Sequence, residues 1–246
     1  MSEQGVALLT GAAGGLGVAA SRALGKTGAR VVMADLDQGR AEAAAAGLRS
    51  EGLDVSGAAL DVTDRQAVDA FVAAIPATYG RLDILVNMAG VVRNDYLTKV
   101  KDEDFDLTFV SHVKGTMHCM RAAMPIMRAQ KYGRIINMSS VAALGALAGT
   151  SYGAAKGAIE SMSRVAALEN AKEGVTVNCV APGMIAAGMF LTTPQHFQAF
   201  NIEQTPMKRA GTADEVAHCI AFFASPAASF VTGQTLFACG GLSVGF

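Results

Sequence analysis

The chain contains no tryptophan, and aromatic residues make up only 6% of its 246 positions. A β-sandwich anchored by a buried tryptophan is therefore not expected. Charged residues account for 17%, and 20 Lys and Arg against 21 Asp and Glu leave a formal net charge of −1. A balance of this kind lacks the basic stripe of a nucleic-acid binder. The hydrophobic fraction of 51% excludes an intrinsically disordered chain.

Long apolar runs and clustered metal ligands are also missing. The longest apolar run, 179–191, contains Pro182 and is shorter than the roughly 20 residues that a membrane-spanning helix requires. The four cysteines form no CxxC pair, so they predict buried thiols in a reducing, cytoplasmic compartment. His112 and His118 lie six positions apart and point to different faces of a helix, so no metal is expected. Neither a membrane nor a nucleic acid is an expected partner.

Short apolar runs alternate with segments of helical length along the whole chain. The runs predict strands at 6–10, 30–34, 55–60, 84–87, 134–138, 175–180 and 234–238. The segments between them predict helices at 15–27, 38–50, 64–79, 103–129, 152–173 and 212–224. Unbroken apolar strands separated by helices indicate a parallel sheet that is covered on both faces. We therefore expect an α/β chain: one Rossmann-fold domain over 1–246, a doubly wound parallel sheet of about seven strands flanked by helices.

One segment, 184–210, departs from this alternation. It is apolar, follows a Pro-Gly pair and is longer than an ordinary connection. We expect it to contain a helix and to act as a lid over a substrate site.

The first predicted strand ends in a glycine-rich turn that leads into a helix. The turn reads Thr10-Gly11-Ala12-Ala13-Gly14-Gly15-Leu16-Gly17. Glycines in this position allow a tight turn, a close approach of the backbone to a pyrophosphate, and packing of the helix on the strand. The phosphates then lie at the positive N-terminus of the helix. A purely structural turn is the alternative interpretation.

An acidic residue, Asp35, ends the second predicted strand. A carboxylate about 20 residues after the glycines accepts hydrogen bonds from the adenosine ribose and repels a 2′-phosphate. No basic side chain replaces Gly14 or Leu36 to bind such a phosphate. The pattern favours NAD over NADP, the alternative being that Asp35 only caps the next helix.

Tyr152 and Lys156 lie four positions apart, which places them on one face of a helix. An ammonium group beside a phenol stabilises the phenolate and lowers a pKa that is ordinarily about 10. Such a phenol exchanges a proton with a substrate oxygen, and the hydroxyl of Ser140 can hydrogen-bond to the same oxygen. A Tyr-x-x-x-Lys pair on its own more often marks a solvated helix face.

Further short motifs follow the later strands. They are Asp61-Val62, Asn87-Met88-Ala89-Gly90, Ser139-Ser140, Pro182-Gly183, Val231-Thr232-Gly233-Gln234 and Gly240-Gly241. In this order and spacing, together with the glycine turn and the Tyr152–Lys156 pair, the chain resembles the classical branch of the short-chain dehydrogenase/reductase family. The resemblance runs from Gly5 to the C-terminal tail.

The resemblance implies contacts to a nicotinamide dinucleotide and an assembly. Asp61 and Val62 would flank the adenine, and Lys156 would hold the nicotinamide ribose. The cleft would be lined by Asn87, Ala89 and Gly90, and Ile185, after Pro182-Gly183, would meet the carboxamide. A homotetramer or homodimer is also implied.

The chain departs from the family pattern at the helix before the fifth strand. His112 stands where the family usually carries an Asn that belongs to a proton relay. Imidazole donates and accepts protons, and it can become charged at a pH near neutral. We expect His112 to line the proton path, with a packing or interface histidine as the alternative. Met88 and Ala187 are smaller departures, at positions where the family often has Asn and Thr.

The two adjacent serines leave one assignment open. Ser139 lies thirteen positions before Tyr152, the commoner family spacing, and Ser140 lies twelve before it. The local match favours Ser140. Because adjacent strand residues face opposite ways, only one of the two reaches the substrate.

These observations predict an NAD(H)-dependent oxidoreductase that interconverts a secondary alcohol and a ketone. A small, mostly apolar substrate is expected, because the lid offers Met184, Met189 and Phe190 and contains no Arg or Lys between 184 and 205. Two alternatives remain: a 3-oxoacyl thioester reductase, and a non-catalytic dinucleotide-binding sensor or scaffold. Asp35 counts against the first if it uses NADPH, and the Tyr152–Lys156 pair counts against the second.

Overall fold

Seven parallel strands form one central sheet in the computed structural model, which describes residues 4–244. The strands are β1 Val6–Thr10, β2 Arg30–Asp35, β3 Val55–Ala59, β4 Ile84–Asn87, β5 Gly133–Met138, β6 Val175–Pro182 and β7 Thr235–Ala238. Their order across the sheet is β3-β2-β1-β4-β5-β6-β7, and each neighbouring pair is parallel. The strand order reverses between β1 and β4. This confirms the doubly wound fold and places a ligand crevice at the carboxyl ends of these strands.

The helices cover both faces of this sheet. They are α1 Gly15–Gly25, α2 Gln38–Ser50, α3 Arg65–Tyr79, α4 Asp102–Phe109, α5 Gly115–Gln130, α6 Thr150–Asn170, α7 Met189–Thr192, α8 Gln195–Gln204 and α9 Ala213–Ala224. Buried residues of α1, α2 and α9 form one apolar core, and those of α3, α5 and α6 form the other. None of the helices described between residues 4 and 244 is long and apolar enough to cross a membrane.

The alternation of side chains along β1 explains why its sequence is apolar at every position. Ala7 and Leu9 belong to one core, whereas Val6 and Leu8 belong to the other. Successive strand residues point to opposite faces, so a strand covered on both sides needs apolar residues throughout.

The predicted helix over 103–129 is wrong in its middle. The structure has α4 and α5 joined by a π-helical turn, Val110–Lys114, which carries Ser111 and His112. This turn contains no Gly or Pro, so the sequence gives no signal for the change of helical winding. π-helical turns occur often at functional sites, and this one aims His112 at the crevice.

The segment 184–210 contains two short helices, α7 and α8, rather than one. Among the side chains that the structure describes, α8 buries none, although it carries Phe197 and Phe200. The segment is anchored at its base, where the backbones of Ile185 and Gly211 pair.

Candidate active site

The carboxyl ends of β1, β4, β5 and β6 open onto a cleft with a cavity of about 310 Å³. Residues from the glycine turn, the π-helical turn, α6 and the segment after β6 meet there. The predicted residues that line it are Gly11, Gly14, Gly15, Leu16, Gly17, Gly90, His112, Ser140, Tyr152, Lys156, Pro182, Gly183, Ile185 and Phe190. Tertiary folding therefore brings most of the predicted set together.

Other predicted residues lie behind or beside the cleft. The Thr10 hydroxyl accepts hydrogen bonds from the backbone N–H groups of Met88 and Ala89, which ties β1 to the loop after β4. The buried side chain of Asn87 donates to Asn137 Oδ1 at 2.8 Å. These contacts shape the cleft wall from behind.

A separate shallow groove lies beyond β2 and β3, and Leu36 and Asp61 line it together with Phe71. Val62 is buried beside this groove and faces Gly115, where an added Cβ would lie 2.7 Å from it.

Two predicted substrate residues are not part of the described cleft. Met184 lines a neighbouring cavity of about 330 Å³ with Cys219 and Phe237, so the structure places it outside the cleft. Its carbonyl accepts a hydrogen bond from the Gly211 N–H, which fixes it on the side of α9. The side chain of Met189 lies outside the described part of the structure.

The glycine turn fits a pyrophosphate. Gly11 has φ +64°, and a Cβ there would lie 2.7 Å from the Ala89 backbone. A Cβ on Gly17 would lie 2.5 Å from the Ala12 carbonyl oxygen. Gly14, the residue before α1, offers no side-chain hydrogen bond, so no capping side chain covers the N–H groups of the first turn. These N–H groups face a cleft that an anion can enter.

Asp35 is held next to this turn by a hydrogen bond. Its Oδ2 accepts from the Ala13 N–H at 3.1 Å. The alternative role of Asp35 as a helix cap is wrong, because Asp37 precedes α2 and accepts from the Arg40 N–H. Asp35 therefore presents its carboxylate beside the glycine turn.

Lys156 lies beneath the ring of Tyr152. Its Nζ is 5.3 Å from the ring centroid and donates to the Met138 carbonyl at 2.6 Å. Burial lowers the pKa of Lys156 to about 7, so near neutral pH the side-chain amine is only partly protonated.

The sequence predicts that Lys156 lowers the pKa of Tyr152, and the structure does not agree with this prediction. Burial raises the pKa of Tyr152 above its ordinary value, and the opposing influence is a hydrogen bond with Ser140. The physical reason is that Lys156 is itself buried and directs its ammonium to a carbonyl oxygen.

The two adjacent serines point to different surroundings. Both serines line the cleft, but Ser140 hydrogen-bonds with Tyr152, whereas the Ser139 hydroxyl donates to Glu160 at 2.7 Å. The geometry thus favours Ser140 as the serine that reaches a substrate oxygen.

His112 is 4% exposed, and its ring packs edge-on against Tyr152 with centroids 5.3 Å apart. Its Nε2 lies 2.8 Å from the Val91 carbonyl, while its buried Nδ1 has no hydrogen-bond partner. Nε2 therefore carries the proton, and Nδ1 presents a lone pair. A Cβ on Gly90 would lie 2.0 Å from the ring, so only glycine leaves space for it.

The expectation that His112 can be charged near neutral pH is wrong. Burial, and then the positive charge of Lys156, lower the pKa of His112 to about 3. The imidazole remains neutral because a second buried cation beside Lys156 would be unfavourable.

The buried neutral His112 makes stability sensitive to acid. Its pKa is about 3 when folded and 6.5 when exposed, so the unfolded chain binds more protons as pH falls below 6.5. Relative to His112→Asn, we expect the wild type to lose about 2 kcal/mol more unfolding free energy between pH 7 and pH 5. Urea unfolding at both pH values measures this. Equal losses in the two proteins would contradict a neutral, buried His112.

Sequence reasoning missed several residues of the site. Val92 and Gly188 line the cleft, and Gly188 has φ +54°. Asn94 accepts a hydrogen bond from the Tyr152 N–H at 3.3 Å and so caps the first turn of α6, where Gly149 offers no side-chain cap. No sequence signal links positions 94 and 152.

Within residues 4–244, no group of three or more His, Cys, Asp or Glu side chains is placed to hold a metal ion.

A family model described as enoyl-(acyl carrier protein) reductase matches residues 11–243. The chain is 38% identical over 239 residues to the (2S)-[(R)-hydroxy(phenyl)methyl]succinyl-CoA dehydrogenase subunit BbsD of Thauera aromatica, covering 97% of this chain and 96% of that protein. The chain belongs to the short-chain dehydrogenase/reductase family. Members of this family are oxidoreductases that use a nicotinamide dinucleotide.

Two further relatives of this short-chain dehydrogenase/reductase support the assignment. The 3-oxoacyl-[acyl-carrier-protein] reductase FabG of Thermotoga maritima is 35% identical over 245 residues, 98% of this chain and 99% of that protein. The crystal structure of a single-substitution variant of actinorhodin polyketide ketoreductase with NADPH matches with a TM-score of 0.94 and 29% identity, over 99% of this chain and 98% of that one.

Proposed function

We propose that this short-chain dehydrogenase/reductase is an NAD(H)-dependent enzyme that interconverts a secondary alcohol and a ketone. The proposal treats 1–246 as one catalytic domain with a substrate lid at 184–210. The observation that carries it is the meeting of Ser140, Tyr152 and Lys156 in one cleft with the glycine turn. A protein that only binds a dinucleotide needs no such group of acid and base residues.

We propose that the chain would hold the dinucleotide along its whole length. The α1 N-terminus would bind the pyrophosphate and Asp35 the adenosine ribose, with Leu36, Asp61 and Val62 around the adenine. Lys156 and Tyr152 would hold the nicotinamide ribose, and Ile185 would meet the carboxamide. When bound, the cofactor accepts or supplies the hydride.

The chemistry at the substrate oxygen is assigned to two hydroxyl groups. Ser140 donates a hydrogen bond to that oxygen and orients it. The Tyr152 hydroxyl gives the oxygen a proton during ketone reduction, and the Tyr152 phenolate takes one from the substrate hydroxyl during alcohol oxidation. Because burial raises the Tyr152 pKa and Ser140 lowers it, oxidation should rise with pH toward this pKa.

His112 belongs to the proton path in this proposal. Its ring packs against Tyr152 and lies near Lys156, and its buried Nδ1 is an acceptor without a partner, which suits it to take part in a proton relay. Asn keeps one donor for the Val91 carbonyl and one acceptor, whereas Leu keeps neither. We therefore expect His112→Leu to lose more turnover than His112→Asn. Turnover assays of both variants and the wild type test this, and equal turnover in all three would contradict this role.

The substrate class follows from the residues at the cleft mouth. Val92 and Phe190 line the cleft, and Leu144 and Leu147 are exposed after Ser140. Lys208 and Arg209, the first cations after the lid helices, are paired with Glu203 and Glu215. We therefore propose a small, mostly apolar alcohol or ketone.

A second candidate function is reduction of a 3-oxoacyl thioester. It is favoured by the names of two relatives. FabG of Thermotoga maritima is a 3-oxoacyl-[acyl-carrier-protein] reductase, and BbsD of Thauera aromatica is a subunit of a dehydrogenase named for a succinyl-CoA substrate. Asp35 counts against it where NADPH is the reductant.

Turnover assays decide between these proposals. Purified protein is mixed with NAD or NADP and a panel of secondary alcohols, and in reverse with NADH or NADPH and ketones or a 3-oxoacyl-CoA. We expect NAD reduction with apolar secondary alcohols, followed by the absorbance of the reduced cofactor. Turnover only with NADPH and the thioester would favour the second function, and dinucleotide binding without any turnover would favour a sensor.

We also propose a homotetramer or homodimer in the cytoplasm. Exposed apolar side chains lie on α6 at Val165 and Leu168, and near the sheet edge at Phe230 and Leu236. Such patches mark contact surfaces between subunits. Light scattering after size exclusion tests the assembly, and a monomer would contradict it.

The cysteines support the proposed compartment. All four are free thiols, as in a reducing compartment.

A further inference from the structure

A buried polar contact lies directly beside Ser140. The Ser139 hydroxyl donates to Glu160 Oε1 at 2.7 Å. Ser139 is 2% exposed, and the Glu160 side chain is 12% exposed. A carboxylate so largely removed from water needs a hydrogen-bond donor, and the serine hydroxyl supplies one.

Glu160 is fixed on α6 one turn after Lys156. Its other carboxylate oxygen lies 3.8 Å from the Arg164 guanidinium, which is a long ion pair and too far for a hydrogen bond. Burial raises the pKa of Cys179, and the Glu160 charge adds to this rise, so the carboxylate lies near β6 as well. The helix that carries Tyr152 and Lys156 is thus linked to the end of β5 through a side chain that touches neither substrate nor cofactor in the proposed reaction.

The chain leaves the sheet at Ser139. The Ser139 N–H still donates to the Val180 carbonyl of β6, whereas the residues after Ser140 turn away in a short 3₁₀ helix, Val141–Leu144. Ser140 has φ −167° and ψ 156°, an extended backbone in which neighbouring side chains point in opposite directions. Holding the Ser139 side chain on Glu160 therefore favours a Ser140 side chain that points into the cleft, where its Oγ also accepts from the Ala142 N–H at 3.2 Å.

We infer that Glu160 is a positioning residue which, through Ser139, fixes the Ser140 hydroxyl against Tyr152. This role rests on the proposed function, because it matters only if Ser140 and Tyr152 act on a substrate oxygen. It assigns a purpose to both members of the Ser139-Ser140 pair: one is the anchor and the other reaches the substrate.

Turnover of substitution variants tests this role. We expect Glu160→Ala and Ser139→Ala each to lower kcat about tenfold with little change in the KM for NAD. Glu160→Gln should stay within about threefold of wild type, because its amide oxygen still accepts from Ser139. Glu169→Ala removes an exposed glutamate from the same helix and is the matched control. The Glu160→Ala/Ser139→Ala double variant should be no worse than either single variant, since both break one contact.

The pH profile separates positioning from charge. Tyr152 is faced by Ser140, His112 and Lys156, and Glu160 is near Arg164 and Cys179. Removing the Glu160 charge alone would lower the pH at which oxidation reaches half its maximum, since a nearby anion disfavours the phenolate. Loss of the Ser140 hydrogen bond raises that pH instead. We expect an upward shift in Glu160→Ala and Ser140→Ala, and at most a small downward shift in Glu160→Gln.

Distinct outcomes overturn the positioning role and the proposed function. If Tyr152→Phe and Ser140→Ala lose turnover while Glu160→Ala equals Glu169→Ala, the positioning role is wrong and the function stands. If the wild type turns over no alcohol, a crystal structure of Glu160→Ala still tests the positioning role. If that variant does not fold, a crystal structure of Ser139→Ala takes its place. A Ser140 hydroxyl that remains hydrogen-bonded to Tyr152 in that structure overturns the inference, and a displaced one supports it.

Discussion

Replacing Tyr152 with Phe should lower kcat for alcohol oxidation about 10³-fold, within the 10²–10⁴ range expected when an acid–base group is removed. The substitution deletes only the hydroxyl. The ring that packs against His112 and lies over Lys156 remains, so the shape of the cleft is preserved. NAD affinity should therefore change little, and the loss should appear in kcat rather than in cofactor binding.

The Tyr132→Phe variant is the matched control for this experiment. Tyr132 precedes β5 at the opposite end of the sheet, where its ring lies against the Arg134 guanidinium. It should retain wild-type turnover. Initial rates with saturating NAD and titration of NAD binding measure both variants. A Tyr152→Phe enzyme with more than about a tenth of wild-type kcat would rule out Tyr152 as the acid–base group.

Replacing Asp35 with Ser should reduce the preference for NAD over NADP about 100-fold. The carboxylate beside the glycine turn accepts from ribose hydroxyls and repels a 2′-phosphate. Two unit charges 4 Å apart at an effective dielectric constant of 20 repel by about 4 kcal/mol, equivalent to roughly a thousandfold before screening by solvent and salt. Serine removes this repulsion and retains one hydroxyl for the ribose.

The Asp37→Ser variant removes the same charge two positions along the chain. Asp37 caps α2 through the Arg40 N–H, and Ser also caps helices, so the fold should be retained. The ratio of kcat/KM for NAD to that for NADP is measured for all three proteins. We expect it to fall only in Asp35→Ser. A wild type that prefers NADP, or an unchanged ratio in Asp35→Ser, would show that Asp35 does not select the cofactor.

The sheet and most helices could be predicted from sequence because their signals are local. Short, mostly apolar runs predicted all seven strands to within a few residues, and the central strands, which are covered on both faces, gave the clearest signal. The glycine turn was predictable for a similar reason. At Gly11 and Gly17 an added Cβ would collide with nearby backbone, so the residue type itself reports the geometry.

The electrostatics of the site could not be predicted in this way. A neighbouring ammonium and burial shift a phenol pKa in opposite directions, and spacing along a helix does not reveal how deeply the pair is buried. The same applies to His112: its identity suggested charge near neutral pH, whereas burial beside Lys156 keeps it neutral.

By itself, the sequence determined the doubly wound sheet, the dinucleotide turn and the Tyr152–Lys156 face of a helix. Each depends on residues that are near one another in the chain. The tertiary structure alone decided which serine faces Tyr152, how His112 fits against Gly90, and how Asn94 caps α6. These contacts join segments that are distant in sequence, and their energies depend on burial and on distances that arise only when the strands are assembled side by side.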